Sequence, residues 1–184
     1  NYIDLINKIL NLKKSTIIST GLLDEKNFHK LKNFLMKKCN KKFIKNDLCL
    51  MHCVSSYPSK NEILNLSFIE KLKNNPFITG YSDHSEGIDA CVYAYLLGAK
   101  IIEKHFTLLN DKKNSFRDHK LSATPDELRQ LKSKLDQINL MKGNGIKKIE
   151  IGEKKELVKS RRSLFTKKNI ECGESLSDDK LVFL

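Results

Sequence analysis

The sequence predicts an α/β protein in which one half of a (β/α)₈ barrel precedes a smaller second domain. Four apolar or β-branched runs alternate with helical patterns over residues 1–142. Such alternation is typical of a parallel sheet that is covered by helices. Polar residues end each of the four runs, which predicts that they meet at the carboxyl edge of the sheet.

The predicted elements follow one another in a regular order. Helical patterns cover residues near 2–12, 24–39, 62–74 and 87–97, and a last one begins at Thr124. Strand-like runs lie at 16–20, 48–54, 77–82 and 100–107. The second helix places Phe28, Leu31 and Leu35 on one face. The last helix begins with a threonine cap, a proline in the first turn and early acidic residues.

Two folds fit this alternation, a doubly wound sheet and half of a (β/α)₈ barrel. The polar residues that end the four runs are Ser19 and Thr20, Ser55 to Tyr57, Ser82 to His84, and Glu103 with His105. In a barrel, these ends converge on one mouth, where active sites are built. A doubly wound nucleotide-binding sheet favours a glycine fingerprint after its first strand, and this sequence has none there. The strand ends therefore favour the barrel half.

The pattern changes at the end of the last barrel helix. Glycines at 143–145 break the helix, and a lysine-rich stretch follows. We assign 1–142 to the barrel, 143–159 to a linker and 160–184 to the start of a small second domain, with a strand at 160–166. Because the chain opens inside a helical pattern and closes inside a strand-like run, we expect it to be a piece of a longer protein.

Composition narrows the classes of function. With 184 residues, 40% of them hydrophobic, the chain can bury its own core. Its net charge of +12 is spread along the whole chain without a stacking platform of aromatic residues and arginine, so we expect no nucleic-acid partner. No run approaches the roughly 20 apolar residues of a membrane helix, so we expect no membrane partner. The five cysteines are odd in number and lack paired metal spacing, which predicts free thiols in a reducing cytoplasm.

Two histidines carry the clearest chemical signal. His84 and His105 end neighbouring strand-like runs, and two neutral imidazoles on one divalent ion leave positions open for water and substrate. From the residues alone, a metal pair and two histidines that only form hydrogen bonds in the barrel mouth are equally open. His52 shares a strand face with Leu48 and Leu50, and we expect it to point into the barrel as a core or substrate-contacting histidine.

An ordered set of motifs gives the chain a family resemblance. The motifs are Ser19-Thr20-Gly21, His52 to Pro58, Gly80-Tyr81-Ser82-Asp83-His84, Ile102 to Thr107, and Asp118-His119-Lys120. In this order and with similar gaps, they resemble those of bacterial sialic acid synthases. The stretch 160–164 is similar to the entrance to the C-terminal antifreeze-like (SAF) domain of that family.

The resemblance implies a fold and an activity. The family's (β/α)₈ barrel condenses phosphoenolpyruvate with an N-acetylated amino sugar, typically N-acetylmannosamine, and releases phosphate. On this alignment, the chain supplies barrel strands five to eight and the start of the SAF domain. Strands one to four, with a glutamate and lysines that the reaction uses, are absent. The chain alone is therefore expected to be inactive, and the full-length protein is expected to be a homodimer.

The resemblance also implies roles for single residues. His84 and His105 would hold Mn²⁺ or Mg²⁺, which would polarise the sugar aldehyde, and Glu103 completes the expected catalytic set. The expected substrate-binding residues are Ser19, Ser55, Tyr57, Ser82, Glu103 and Asp118. The serines at 19 and 82 would contact phosphate, and the carboxylates and the tyrosine would contact the sugar. Loop capping by the serines and an ion pair for Glu103 are the alternatives.

Two positions depart from the family pattern. Ser55 stands where many members carry an asparagine, and the loop 112–117 lacks a glycine-proline that often precedes the aspartate. Both lie in the expected sugar pocket, so N-acetylmannosamine and related diacetamido sugars stay open as acceptors. Two other functions remain, another metal-dependent phosphoenolpyruvate-using synthase and a non-catalytic sugar-phosphate-binding remnant. The Arg161-Arg162 junction argues against the first of these.

Overall fold

A computed structural model of the chain describes residues 3–108 and 117–184. They form two compact units that divide between Lys142 and Gly143. The loop 112–117, apart from the backbone of its last residue, lies outside the described residues. None of the helices in the described ranges combines the length and the apolar character that a membrane span requires.

The first unit alternates helices and parallel strands. Its helices are α1 (Ile3–Asn11), α2 (Glu25–Lys38), α3 (Lys41–Asp47), α4 (Phe68–Lys73), α5 (Asp89–Leu97) and α6 (Pro125–Lys142). Its strands are β1 (Thr16–Ser19), β2 (Leu48–Cys53), β3 (Ile78–Asp83) and β4 (Ile101–Lys104). The four strands pair in parallel in the order β1-β2-β3-β4. Spatial order thus equals chain order, as in a barrel, whereas a doubly wound sheet reverses its order at a switch point.

The helices differ from the sequence-based expectation in two places. The separate helix α3 was not predicted; its N-terminus is capped by Asn40, whose side-chain oxygen accepts a hydrogen bond from Phe43 N at 2.9 Å. The helix predicted at 62–74 is shorter, because Asn65 has φ +45°, in the left-handed region, and separates α4 from a single 3₁₀ turn. The predicted cap of α6 is confirmed, since Glu127 N donates to Thr124 Oγ1 at 3.3 Å and Thr124 N donates to Glu127 Oε2 at 2.8 Å.

The sheet has a helix-facing side and an opposite side, which we call the inner side. Leu48 and Leu50 point toward the helices and belong to a core cluster with Phe28, Leu31 and Leu35. The inner side carries residues that alternate with these along the strands, namely Ile17, Ser19, Cys49, Met51, Gly80, Ser82 and Glu103. A Cβ added to Gly80 would lie 2.7 Å from Met51 Cγ and 2.9 Å from Cys49 Sγ, so glycine permits this close packing.

The second unit is small and contains one strand pair. Helix α7 (Lys154–Ser160) precedes β5 (Leu164–Thr166), which pairs antiparallel with β6 (Leu181–Phe183). The structure therefore has a helix inside the stretch expected to be a linker, and the strand expected at 160–166 begins four residues later.

Candidate active site

Three aromatic rings converge at the carboxyl ends of β2, β3 and β4. The ring centroids of His84 and His105 are 5.3 Å apart, and the rings meet edge to face at 76°. The Tyr57 ring lies on the loop after β2, with its centroid 4.2 Å from that of His84 and 6.1 Å from that of His105. The predicted close approach of the two imidazoles is therefore present in the structure.

The surrounding backbone holds the His84 ring in one tautomer. His84 is buried, and its Nδ1 lies 2.9 Å from the carbonyl oxygen of Val54. A carbonyl only accepts hydrogen bonds, so Nδ1 carries the proton and Nε2 keeps its lone pair. The backbone is fixed as well, because Ser59 N donates to His84 O at 2.8 Å. This arrangement leaves Nε2 as the nitrogen that can bind a metal ion.

His105 lies just outside the sheet, which corrects the predicted strand 100–107. Strand β4 ends at Lys104, and His105 O accepts from Ala123 N at 2.7 Å instead. The chain leaves β4 because residues 105–107 pair with this later segment, as the Phe106–Ala123 bridge shows. The ring of His105 is partly exposed, and its Nδ1 lies 3.7 Å from Asp118 Oδ2, too long for a hydrogen bond but within ion-pair range.

The two imidazoles fit a divalent ion as a pair of ligands. A metal lies about 2.0–2.1 Å from an imidazole nitrogen, so two rings on one ion have centroids roughly 4.5–5.5 Å apart. The observed 5.3 Å falls in this range. Among the described residues, no group of three or more His, Cys, Asp or Glu side chains converges as a metal site. The pair would therefore leave most coordination positions to other ligands.

Ser82 and Glu103 form a hydrogen-bonded polar pair on the inner side, next to the histidines. They are register partners on β3 and β4, and Ser82 Oγ donates to Glu103 Oε1 at 2.6 Å. Ser82 is buried, whereas Glu103 is exposed. The carboxylate therefore has no large desolvation cost, and within residues 3–108 and 117–184 it is contacted by a hydroxyl and not by a cation.

The remaining predicted site residues lie at the same edge of the sheet. Ser19 is exposed at the end of β1, and the next residue, Thr20, donates to Met51 O at 2.7 Å. Ser55 lies against this turn, since a Cβ on Gly21 would overlap its Oγ. Tyr57 is 53% exposed. Asp118 lies in a 3₁₀ turn at Arg117–Lys120.

The expectation that His52 points into the barrel is wrong. The face shared with Leu48 and Leu50 is the helix-facing side, and His52 Nε2 lies 2.7 Å from Leu64 O. Its ring packs between Phe68 and Tyr81, with centroid distances of 5.4 and 6.0 Å. Burial lowers the pKa of His52, although the hydrogen bond to Leu64 opposes this shift. His52 is a neutral packing residue in the structure.

Three side chains near the site were missed by the sequence reasoning. Cys53 Sγ lies 3.8 Å from His84 Nδ1. Asp83 and Lys104, on the helix-facing side, form a buried ion pair with an N–O distance of 2.8 Å. Burial alone would raise the pKa of Asp83, but the Lys104 ammonium and hydrogen bonds from Lys104 and Ser85 outweigh it, so the pKa is lowered. The signal for the pair was present, namely opposite charges at outward positions of two neighbouring apolar strands.

The chain is similar in sequence to proteins named as synthases of nonulosonic acids. The chain is 39% identical over 177 residues to an N,N'-diacetyllegionaminic acid synthase of Campylobacter jejuni, covering 96% of this chain and 52% of that protein. It is 36% identical over 185 residues to a pseudaminic acid synthase of the same species, covering 98% of this chain and 50% of that protein. The chain thus spans about half the length of these relatives.

Structural similarity supports the same grouping. A crystal structure of N-acetylneuraminic acid (sialic acid) synthetase from Leptospira borgpetersenii, in complex with citrate, superposes with a TM-score of 0.71 at 33% identity. The match covers 85% of this chain and 53% of that one, and it confirms the α/β half-barrel. The model of the NeuB family matches residues 1–147. The family resemblance read from the motifs is confirmed, and the chain belongs to the NeuB family.

Proposed function

We propose that the protein is a nonulosonate synthase that joins phosphoenolpyruvate to an N-acetylated amino sugar of the N-acetylmannosamine type. The observation that carries this proposal is the group formed by His84, His105 and Tyr57 above the Ser82–Glu103 hydrogen bond, in a chain of the NeuB family. In this proposal, β1 to β4 are strands five to eight of the barrel, and residues 160–184 begin a SAF domain.

The proposed reaction consumes phosphoenolpyruvate, the amino sugar and one water, and releases a nonulosonate and phosphate. The methylene carbon of phosphoenolpyruvate forms a bond to the aldehyde carbon of the sugar, whose oxygen takes up a proton. Water then adds to the electron-poor carbon that bears the phosphate and gives up a proton. The bond between this carbon and the bridging oxygen breaks, phosphate leaves with that oxygen, and the added hydroxyl loses its proton and becomes the keto oxygen of the product.

The inner side of the sheet offers groups that suit these two substrates. The Ser82 hydroxyl donates to one oxygen of Glu103 and orients the carboxylate, whose other oxygen is proposed to accept from a sugar hydroxyl. The Tyr57 ring, 53% exposed, offers an apolar surface and a phenol hydroxyl. Asp118 approaches His105 from the later turn, where it can accept from the sugar or orient the imidazole. Ser19 and Ser55 are proposed to contact the substrates from the ends of β1 and β2.

His84 and His105 are the residues proposed to hold Mn²⁺ or Mg²⁺. Nε2 of His84 is available because its Nδ1 donates to Val54 O. When bound, such an ion supplies Lewis-acid polarisation of the aldehyde oxygen.

A product assay with the full-length polypeptide tests the proposal. Phosphoenolpyruvate labelled with ¹⁸O at the bridging position is offered with N-acetylmannosamine or with each of two diacetamido hexoses, and products are identified by mass spectrometry. One nonulosonate and one ¹⁸O-labelled phosphate per turnover are expected with one of the sugars. Phosphate without label would contradict the proposed bond cleavage, and no condensation with any sugar would contradict the function.

The proposal includes a homodimer of the full-length protein and a cytoplasmic location. The fully buried free thiols of Cys49 and Cys91 suit a reducing compartment. Light scattering of the purified full-length protein tests the dimer, and a mass equal to one chain at micromolar concentration would contradict it.

A further inference from the structure

We propose that the buried ion pair of Asp83 and Lys104 is a positioning device that sets the spacing of His84 and His105. The inference rests on the proposed role of the two histidines as metal ligands. Asp83 and Lys104 immediately precede the two histidines and are register partners across β3 and β4. A contact that joins residues 83 and 104 therefore joins the two strand ends from which the imidazoles project.

The Asp83 carboxylate is fully buried and accepts hydrogen bonds at both oxygens. Tyr81 Oη donates to Oδ1 at 3.0 Å, and Ser85 donates to the same oxygen from its N at 2.9 Å and from its Oγ at 2.8 Å. Lys104 Nζ donates to Oδ2 at 2.8 Å, and Cys91 Sγ lies 3.3 Å from that oxygen. Such a complete set of directed donors fixes the position of the carboxylate, and with it the end of β3.

Lys104 contacts the chain on both sides of His84. Its Nζ donates to the carboxylate of residue 83 and also to the carbonyl oxygen of Ser85. The Lys104 side chain is 4% exposed, so water does not compete strongly for these bonds. The backbone of His84 is thus held between two residues that are both bound to β4, one position before His105.

Fold stability alone does not require an ion pair at this place. A pair of apolar residues of similar volume is often as stable as a buried ion pair, because both charges lose their hydration. An apolar pair has no directed bonds, so the backbone pairing of β3 and β4 alone would set the position of the strand ends. A metal held by two imidazoles needs its ligands within a narrow range of positions, which directed bonds provide.

The test removes both charges at once in the full-length polypeptide. Asp83→Asn with Lys104→Met keeps the side-chain volumes and leaves no unpaired buried charge. Binding of Mn²⁺ is measured from the electron paramagnetic resonance signal of the free ion, and folding is followed by circular dichroism and thermal melting. We expect the Kd for Mn²⁺ to rise about 10- to 100-fold, the range for groups that orient metal ligands.

A matched control removes an ion pair that touches neither histidine. Lys132→Met with Asp136→Asn deletes an exposed pair on α6, whose N–O distance is 2.5 Å. It should leave the Kd unchanged. If the Asp83/Lys104 double variant binds Mn²⁺ as the wild type does, the proposal is overturned, even if the protein melts earlier.

Two other outcomes also bear on the proposal: a double variant that does not fold, and a wild-type protein that does not bind Mn²⁺. If the double variant does not fold, Tyr81→Phe is tested instead, because it removes one donor to Asp83. A Kd for Mn²⁺ within twofold of the wild-type value then overturns the proposal, and a larger rise supports it. If wild-type protein binds no Mn²⁺, the proposal also fails. A wild-type protein that binds Mn²⁺ but forms no nonulosonate would contradict the proposed function alone, since the Kd comparison still tests the positioning role.

Discussion

The two sides of the sheet in the first unit are built on different principles. On the helix-facing side, Leu48 and Leu50 are no more than 1% exposed and pack against the surrounding helices. On the inner side, Ile17 is 52% exposed, and Ser19 and Glu103 are exposed at the strand ends. The helix-facing side therefore packs against the helices, while the inner side exposes polar groups at its strand ends, although Cys49 and Met51 in its centre are also buried.

The change from one side to the other takes a single residue along a strand. Asp83 points to the helices and is fully enclosed by donors, whereas His84 points to the inner side beside Tyr57. Lys104 and His105 repeat this division at the end of β4. The residues that hold the strand ends and the residues proposed for the chemistry are therefore neighbours in sequence but lie on opposite faces, so mutations on the two faces should separate the two roles.

The largest expected effect is on the inner side, at the metal pair. His84→Ala in the full-length protein should abolish metal-dependent turnover, because removing a ligand exceeds the about 10- to 100-fold cost of removing a group that merely orients one. The measurement is product formation over a range of Mn²⁺ concentrations. His29→Ala, at an exposed helix position, is the control. Near-normal activity of His84→Ala would eliminate this metal assignment.

The next effect is on the helix-facing side and concerns stability. In the 184-residue chain, Leu50→Ala should lower the free energy of unfolding by about 2–5 kcal/mol, since it leaves a cavity in the core. Ile17→Ala on the inner side should cost under about 1 kcal/mol, the span of strand propensities. Urea unfolding followed by circular dichroism measures both. Equal costs for the two variants would remove the distinction between the faces.

The sequence predicted the strands and the polar edge well, because both follow from local pattern. Alternation within β3 and β4 placed Ser82 with His84 and Glu103 with His105, and the Ser82–Glu103 bond and the ring contact agree. The same alternation does not say which face is which. Apolar residues line both sides of β2, so the sequence assigned the face of His52 to the barrel interior, and the contact with Leu64 reverses this.

Long-range pairing was the part that sequence patterns did not supply. The early end of β4 depends on Ala123, a residue far along the chain whose hydrogen bonds draw residues 105–107 out of the sheet. The Asp83–Lys104 pair depends on the register of two strands, which follows only from the assembled sheet. Local periodicity predicts where elements lie, whereas tertiary contacts decide where they end and what they bind.

A moderate effect on substrate affinity is expected at the Ser82–Glu103 pair on the inner side. Glu103→Gln should raise the KM for the amino sugar about 10- to 100-fold, because it removes a charged acceptor for a sugar hydroxyl. The KM for phosphoenolpyruvate should change less than the KM for the sugar. Glu86→Gln, which alters an exposed glutamate paired with Lys120 at 3.0 Å, is the matched control. A sugar KM equal to that of the wild type would show that this carboxylate does not bind the sugar.

The smallest effect is a dependence of stability on pH from the helix-facing side. Burial lowers the pKa of His52 in the folded chain, whereas the unfolded chain binds the proton at about pH 6.5. Below that pH the unfolded state therefore holds more protons, so the stabilising contribution is present above pH 6.5 and is lost as the pH falls. Three charged side chains, Asp24, Glu25 and Lys71, line the same pocket as His52.

A variant separates His52 from these neighbours. In His52→Gln, the amide can still donate to Leu64 O, but the side chain does not titrate. Urea unfolding of the chain between pH 7.5 and 5 should therefore show a smaller loss of stability for this variant than for the wild type, and His29→Gln should behave as the wild type. Identical slopes for His52→Gln and wild type would mean that the buried imidazole accepts its proton as readily in the folded chain as in the unfolded one. The helix-facing side would then hold a protonated imidazole at this position at low pH, against the effect of burial on its pKa.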